Sequence, residues 1–188
     1  MKRSTKIIIG AIIIALFGYY AISPWLTVQS LKEIFKEKYT EQLDNTVDGA
    51  VLQYNLRKRI RERLYDELLA EQAEKLKNID ESILETKAAT FAEAMVLRQV
   101  VSSDVVYLML DPLIQDTTIA RRIPLQQAYE MMYLGMQQSE TRREGSSKYV
   151  IKVPLLFPNE TSKEIELWMI RYGMIWKITD IRDLSATQ

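Results

Sequence analysis

An α+β protein with one N-terminal transmembrane helix is the architecture this sequence predicts. Three observations carry that expectation: an uncharged apolar run near the start, helical spacing of apolar residues up to about residue 138, and alternation from residue 148 onward. At 188 residues, 47% of them apolar, the chain suits one domain of ordinary size plus a terminal segment.

The apolar run is IIIGAIIIALFGYYAI, residues 7–22, which holds no charge and only the hydroxyls of Tyr19 and Tyr20. A helix continued to Leu26 at about 1.5 Å per residue covers roughly 30 Å, the thickness of a bilayer core. Tyr19, Tyr20 and Trp25 are residue types that settle at a membrane interface, ring buried and polar tip in water. Ala21-Ile22-Ser23 fits the small-x-small pattern of a signal-peptide cleavage site, but Pro24 follows at once and constrains the backbone a peptidase must hold extended. The expectation is a retained anchor over residues 7–26 behind a cytoplasmic basic tail, residues 1–6. Lys2, Arg3 and Lys6 stay inside, which puts residues 27–188 outside the cytoplasm. Pro24 should end or kink the spanning helix at the outer surface.

The body begins with a helix over about 27–40, where Val28, Leu31, Ile34, Phe35 and Tyr39 recur at helical spacing. Turn residues in DNTVDGAV follow, and Asp48 is a candidate N-cap for a helix over about 48–77 whose Leu52, Leu56, Ile60, Leu64 and Leu68 fall four apart. A third helix is expected over about 81–101. A fourth covers about 104–111, capped by Ser103 or Asp104 and ended by Pro112, and a fifth, Met-rich helix covers about 124–138, with Pro124 in its first turn. Three strands, about 148–157, 163–172 and 174–181, read as an antiparallel sheet with its last two strands joined at Tyr172-Gly173. Pro154 cannot donate to a ladder, so its strand should lie at an edge or bulge there. In the middle strand Ile165, Leu167 and Met169 share a face that should pack on the helices, away from Glu164, Glu166 and Trp168.

Composition excludes more chemistry than it suggests. The 25 Lys and Arg equal the 25 Asp and Glu; without the three N-terminal cations, 22 basic residues face 25 acidic ones, a balance unlike that of a nucleic-acid-binding domain. Neither cysteine nor histidine occurs, which removes disulfides, thiolate and imidazole metal ligands, cysteine nucleophiles and serine–histidine pairs. No nucleotide-loop or zinc-protease motif is present. Acid pairs such as Glu62 with Asp66, or Glu164 with Glu166, read as solvated faces, and Ser146-Ser147-Lys148 as a polar turn. The expectation is a protein that is not an enzyme, with no cofactor, metal or nucleic-acid partner.

The stretches YYAISPWLTVQSLKE, VDGAVLQYNLRKRI and RYGMIWKITDI, with VVYLMLDPLI as a weaker fourth, make the sequence resemble the bacterial family catalogued as domain of unknown function 2939. Where that family has Phe-Pro after Val-Asp and then an arginine, this chain has Gly49, Ala50 and Gln53, so no role of that arginine carries over. The resemblance implies a membrane-anchored envelope protein and no activity. Helices followed by a meander also look like cone-shaped folds of the nuclear-transport-factor type, an analogy of fold alone.

Two functions fit these elements. In the first, a single-span protein of the bacterial inner membrane, N-terminus cytoplasmic and body periplasmic, serves as a non-catalytic accessory subunit beside a membrane-protein partner. Its basic run Arg57, Lys58, Arg59 and Arg61 is then a candidate contact for lipid headgroups, or simply a solvated face paired with Glu62, Asp66, Glu67 and Glu71. In the alternative, Met131, Met132, Met136, Trp168, Tyr172 and Trp176 line a pocket for a lipid or small apolar ligand between sheet and helices. Core packing explains the same residues.

Overall fold

A computed structural model describes residues 3–74, 80–95, 102–110, 123–157 and 162–184. Its first helix, α1 (Arg3–Glu37), runs through the apolar segment and on into the domain without interruption. The expectation that Pro24 ends the helix is therefore corrected. Proline deprives the Tyr20 carbonyl of its usual N–H four residues on, but the Ser23 hydroxyl donates to that same oxygen at 3.2 Å. The helix keeps its bonding and turns its outer half, Val28, Leu31, Ile34 and Phe35, into the core.

The helix stops at Lys38, whose φ of 60° is left-handed, and Tyr39 N–H closes the end on the Ile34 carbonyl at 3.1 Å. A short helix α2 (Thr40–Thr46) follows in place of the expected turn, and Leu43 plugs it into the core. Its period was illegible because seven residues offer one buried apolar side chain. Asp48 caps α3 (Gly49–Glu74) as expected, its carboxylate accepting Val51 N–H at 3.1 Å. The same residue's N–H reaches the Ile178 carbonyl at 2.9 Å, beside a bridge between Val47 and Ile178. The turn thus closes part of the outer edge of the last strand.

Next come α4 (Glu81–Met95), α5 (Ser102–Leu110) and α6 (Leu125–Gln137). Residues 75–77, 96–101 and 111–112, which the sequence reading assigned to helix ends and a proline stop, lie outside the described residues. Helix α5 starts at Ser102, so Ser103 and Asp104 fall in its first turn and do not precede it. Pro124 takes the N-cap position of α6, with its carbonyl accepting from Ala128 at 3.0 Å.

The sheet has four antiparallel strands, not three, in the order β1 (Glu140–Glu144), β2 (Lys148–Leu156), β3 (Ser162–Tyr172) and β4 (Ile175–Asp183). Strand β1, ETRRE, pairs with β2 from Glu140–Lys152 to Glu144–Lys148. It carries no apolar alternation because it is an exposed edge, and its charges also deter pairing with another chain. Pro154 sits beyond the reach of β1, where β2 is locally an edge, which satisfies the constraint on proline. The bulge lies elsewhere: Trp168 pairs with Asp180 and Met169 with Ile178, leaving Thr179 as the extra residue of β4.

One sheet face is the core face, with Ile151, Val153, Leu155, Ile165, Leu167, Met169, Trp176, Ile178 and Ile181 buried. Helix α6 lies on it through Ala128, Met131, Met132, Gly135 and Met136. Gly135 is required there: a Cβ would collide with the Pro154 carbonyl oxygen and lie 2.8 Å from Val153 Cγ1. Phe35 of α1 meets Tyr129 of α6 at 6.0 Å between ring centroids.

Candidate functional site: the joint between anchor and sheet

Both hairpin turns lie at one end of the sheet, and α1 enters the domain there. The β1–β2 turn uses Gly145 at φ 75° and the β3–β4 turn Gly173 at φ 63°, a region that favours glycine. Tyr20 Oη donates to the Ser146 carbonyl at 2.7 Å, and Tyr19 Oη to the Met174 carbonyl at 3.4 Å. Neighbours on a helix point about 100° apart, so each tyrosine serves one turn. One turn higher, Trp176 Nε1 donates to Ser23 Oγ at 3.0 Å, both side chains being buried.

Two arginines complete the joint. The Arg171 guanidinium stacks 3.7 Å from the Tyr20 ring centroid, and that of Arg143 stands 5.3 Å from it. Arg171 also ties the turns together, its N–H donating to Ser147 O at 3.0 Å and its Nε to Gly173 O at 2.7 Å. Its Nη1 is enclosed without a partner, and neither arginine has a carboxylate partner among the described residues. Below the joint, Ile7, Ile8, Ile12, Ile13, Ile14, Leu16 and Phe17 are exposed, Phe17 by 71%. A helix that apolar on every side needs an apolar phase around it. By length and composition it is fit to be a membrane anchor or a signal sequence.

Of the three expected interfacial aromatics, Tyr19 and Tyr20 are docked on the sheet, while Trp25 stays 55% exposed on the other side of α1. The basic run on α3 does not act as one patch. Arg59 turns to the end of β4 and pairs with Asp180 at 2.7 Å, whereas Lys58 stands 3.9 Å from Glu62. Burial holds the Arg59 pKa below its usual value against the opposing pull of Asp180. Arg57, Lys58 and Arg61 line a groove of about 250 Å³ between α3 and α4, with Tyr54, Ala89, Ala92 and Glu93. Beside it, Tyr65 Oη donates to Glu81 Oε1 at 2.7 Å, which pushes the phenol pKa up to about 12.

The six residues proposed to line an apolar pocket are not gathered around one space. Met131, Met132, Met136 and Trp176 are packed into the core, while Trp168 faces the other side of the sheet and Tyr172 is exposed. Trp168 belongs instead to a charged cluster: its Nε1 donates to Glu166 Oε2 at 2.9 Å, and Arg182 stacks 3.9 Å from its centroid. Arg142 reaches Glu166 at 2.7 Å, and Arg182 reaches Asp180 at 2.9 Å. The carboxylates of Glu166 and Asp180 are buried but fully met by donors, as buried charges must be.

Sequence reasoning overlooked Ser23, Arg143, Ser146, Arg171 and Met174. Only Ser23 carried a signal: a hydroxyl immediately before a proline, in a segment whose only other hydroxyls are those of Tyr19 and Tyr20.

A family model described as protein of unknown function (DUF2939) matches residues 13–108. That range takes in the later part of the apolar segment, the joint residues of α1, α2 to α4 and most of α5. It stops short of the sheet, so RYGMIWKITDI lies outside it. No curated protein and no solved structure matches, and the cone-type likeness has no solved counterpart.

Proposed function

The chain belongs to the family described as protein of unknown function (DUF2939), and from that premise we propose that it is a single-span membrane protein that works by position. The anchor is retained, Lys2, Arg3 and Lys6 hold the N-terminus in the cytoplasm, and the body stands on the outer face of a bacterial inner membrane. There it acts as a non-catalytic accessory subunit that presents the α3–α4 pair to a membrane-protein partner.

One observation carries this reading. Tyr19, Tyr20 and Ser23, which a cleavage after Ser23 would remove, are bonded to both hairpin turns and to buried Trp176. A segment discarded on export has no reason to hold the domain it leaves. The groove of Arg57, Lys58 and Arg61 supports the choice of presented surface, because its cations line a concave exposed face.

Intact-mass measurement of the protein extracted from membranes tests the anchor: the full 21.9 kDa chain is expected, and a mature N-terminus at Pro24 or later would overturn the proposal. A photocrosslinking side chain at Arg61 tests the partner. Capture of one membrane protein in stoichiometric yield is expected, whereas recovery of the chain alone sinks the accessory role.

A further inference from the structure

The joint does more than fix the body to its anchor: we propose that the turn end of the sheet is itself a membrane-binding surface, in which Arg143 and Arg171 hold the phosphate of an anionic lipid headgroup. This rests on the retained anchor above and goes beyond it, because an anchored body could equally stand clear of the bilayer.

Height along α1 is the first argument. Between Ile7 and the docked tyrosines only residues 7–18 are free of the body, about 18 Å of helix at about 1.5 Å per residue. A hydrocarbon core is about 30 Å thick. The exposed strip does not end at the tyrosines: Ile22, Trp25 and Leu26, spaced to share one helix face, are 52%, 55% and 42% exposed above the level at which the turns dock. Lipid that covers those three side chains on one side of α1 reaches the two turns on the other. A bilayer that thins to meet a shorter span instead brings its headgroups to the same turns. In either arrangement residues 145–147 and 173–174 sit in the headgroup layer.

The composition of that end is the second argument. Met174 and Ile175 are each 54% exposed at the β3–β4 turn, beside Tyr19. On the core face, Arg143 and Arg171 flank Tyr20. On the opposite face, Lys148 and Lys177 are both in register with Ile170. The acids nearby are already engaged, Glu144 by Arg142 at 3.1 Å and Asp48 by the first turn of α3. Two guanidinium groups on one ring, without a carboxylate among the described residues, leave an uncompensated positive field that favours a phosphate. Exposed apolar side chains at a turn, backed by arginines, are the arrangement that suits an interface where hydrocarbon and phosphate meet.

The full chain, reconstituted in nanodiscs, tests this, and the lack of native cysteine allows single labels. Fluorophores at Ser146→Cys and Ser162→Cys mark the two ends of the sheet. Headgroup-level nitroxide lipid is expected to quench the first strongly and the second hardly at all. Equal, weak quenching at both overturns the proposal, while intact mass on the same sample shows whether the anchor is present, so the two readings fail separately. For the phosphate site, native mass spectrometry compares retained phosphatidylglycerol with phosphatidylcholine. Arg143→Gln, on an exposed side chain that leaves folding intact, should lower the preference about fivefold, and Arg143→Gln with Arg171→Gln by about twentyfold or more. Arg171→Lys, which keeps the charge, guards against misfolding and should retain most of it. Unchanged preference in Arg143→Gln overturns the site. Inorganic phosphate that abolishes the preference at millimolar concentration, and itself stays bound in pure phosphatidylcholine, would assign the arginines to a soluble anion and overturn the lipid.

Discussion

Replacing Ser23 by alanine should loosen the protein by far more than the loss of one hydroxyl on a helix suggests. Ser23 Oγ accepts from the buried Trp176 indole at 3.0 Å and donates to the Tyr20 carbonyl, which Pro24 leaves without its backbone donor. A buried indole N–H left unpaired costs about 1–3 kcal/mol, and the carbonyl adds about 0.5–1 kcal/mol because it lies nearer solvent. The sum, about 1.5–4 kcal/mol, corresponds to a melting temperature lower by about 3–16 °C for a chain of this size. Thermal unfolding of the full chain in detergent, followed by near-ultraviolet circular dichroism of the tryptophans, reads it directly. Two backgrounds separate the two bonds. In Pro24→Ala the residue 24 N–H returns to the Tyr20 carbonyl, so Ser23→Ala should cost about 1 kcal/mol less. In Trp176→Phe only the carbonyl contribution should survive. A shift under 2 °C, or an equal cost in all three backgrounds, would refute the role given to this hydroxyl.

Other consequences are open to simpler measurements. Gly135→Ala should destabilise by about 1–3 kcal/mol, since collision with the Pro154 carbonyl outweighs the roughly 1 kcal/mol of helix propensity that alanine brings; chemical denaturation checks the sign. Asp180→Ala strips Arg59, Arg182 and the Ile181 N–H of their shared acceptor and should cost about 3 kcal/mol, with Asp180→Asn costing less, measured the same way. The Tyr65 phenol, raised to about 12 by its bond to Glu81, stabilises the α3–α4 pair fully below pH 10. That contribution fades between pH 10 and 12. Helical ellipticity should fall over that window in the native chain and less in Tyr65→Phe, with tyrosinate absorbance at 295 nm rising in step.

The large apolar features were legible in the sequence because each rests on a period. Ile7 to Ile22 announced an exposed apolar helix long enough to cross a membrane, Leu52, Leu56 and Ile60 the buried stripe of α3, and Ile165, Leu167 and Met169 the core face of β3. Asp48 was legible as a cap for the same local reason. What escaped depends on contacts between distant residues. Strand β1 is held by backbone pairing to β2 and by charged contacts such as Arg142 with Glu166, with no apolar alternation of its own, so its polar residues looked like loop. Pro24 looked like a terminator because the remedy, one hydroxyl on the preceding residue, is modest evidence against a strong local rule. The pocket reading failed for Trp168 because two tryptophans eight residues apart in sequence stand on opposite faces of the sheet, a consequence of the turn between them, which pairs Trp176 with Arg171. The arginines of the joint were invisible, since only the return of the chain at Ser146 and Gly173 brings Arg143 and Arg171 to the same ring.

The unbroken course of α1 from Arg3 to Glu37 has a mechanical corollary. In the proposed membrane arrangement, a rod that is one helix in both phases would fix the azimuth of the body about the membrane normal to the azimuth of the spanning residues. One extra residue inserted after Gly18 turns everything beneath it by about 100° relative to the domain, while seven return it nearly to phase at the cost of about 10 Å of height. A partner that grips helix and body together would lose its hold after the single insertion and recover much of it after the seventh. One that grips only the body would ignore both, so a ladder of insertions would tell whether the bilayer contains part of the binding surface.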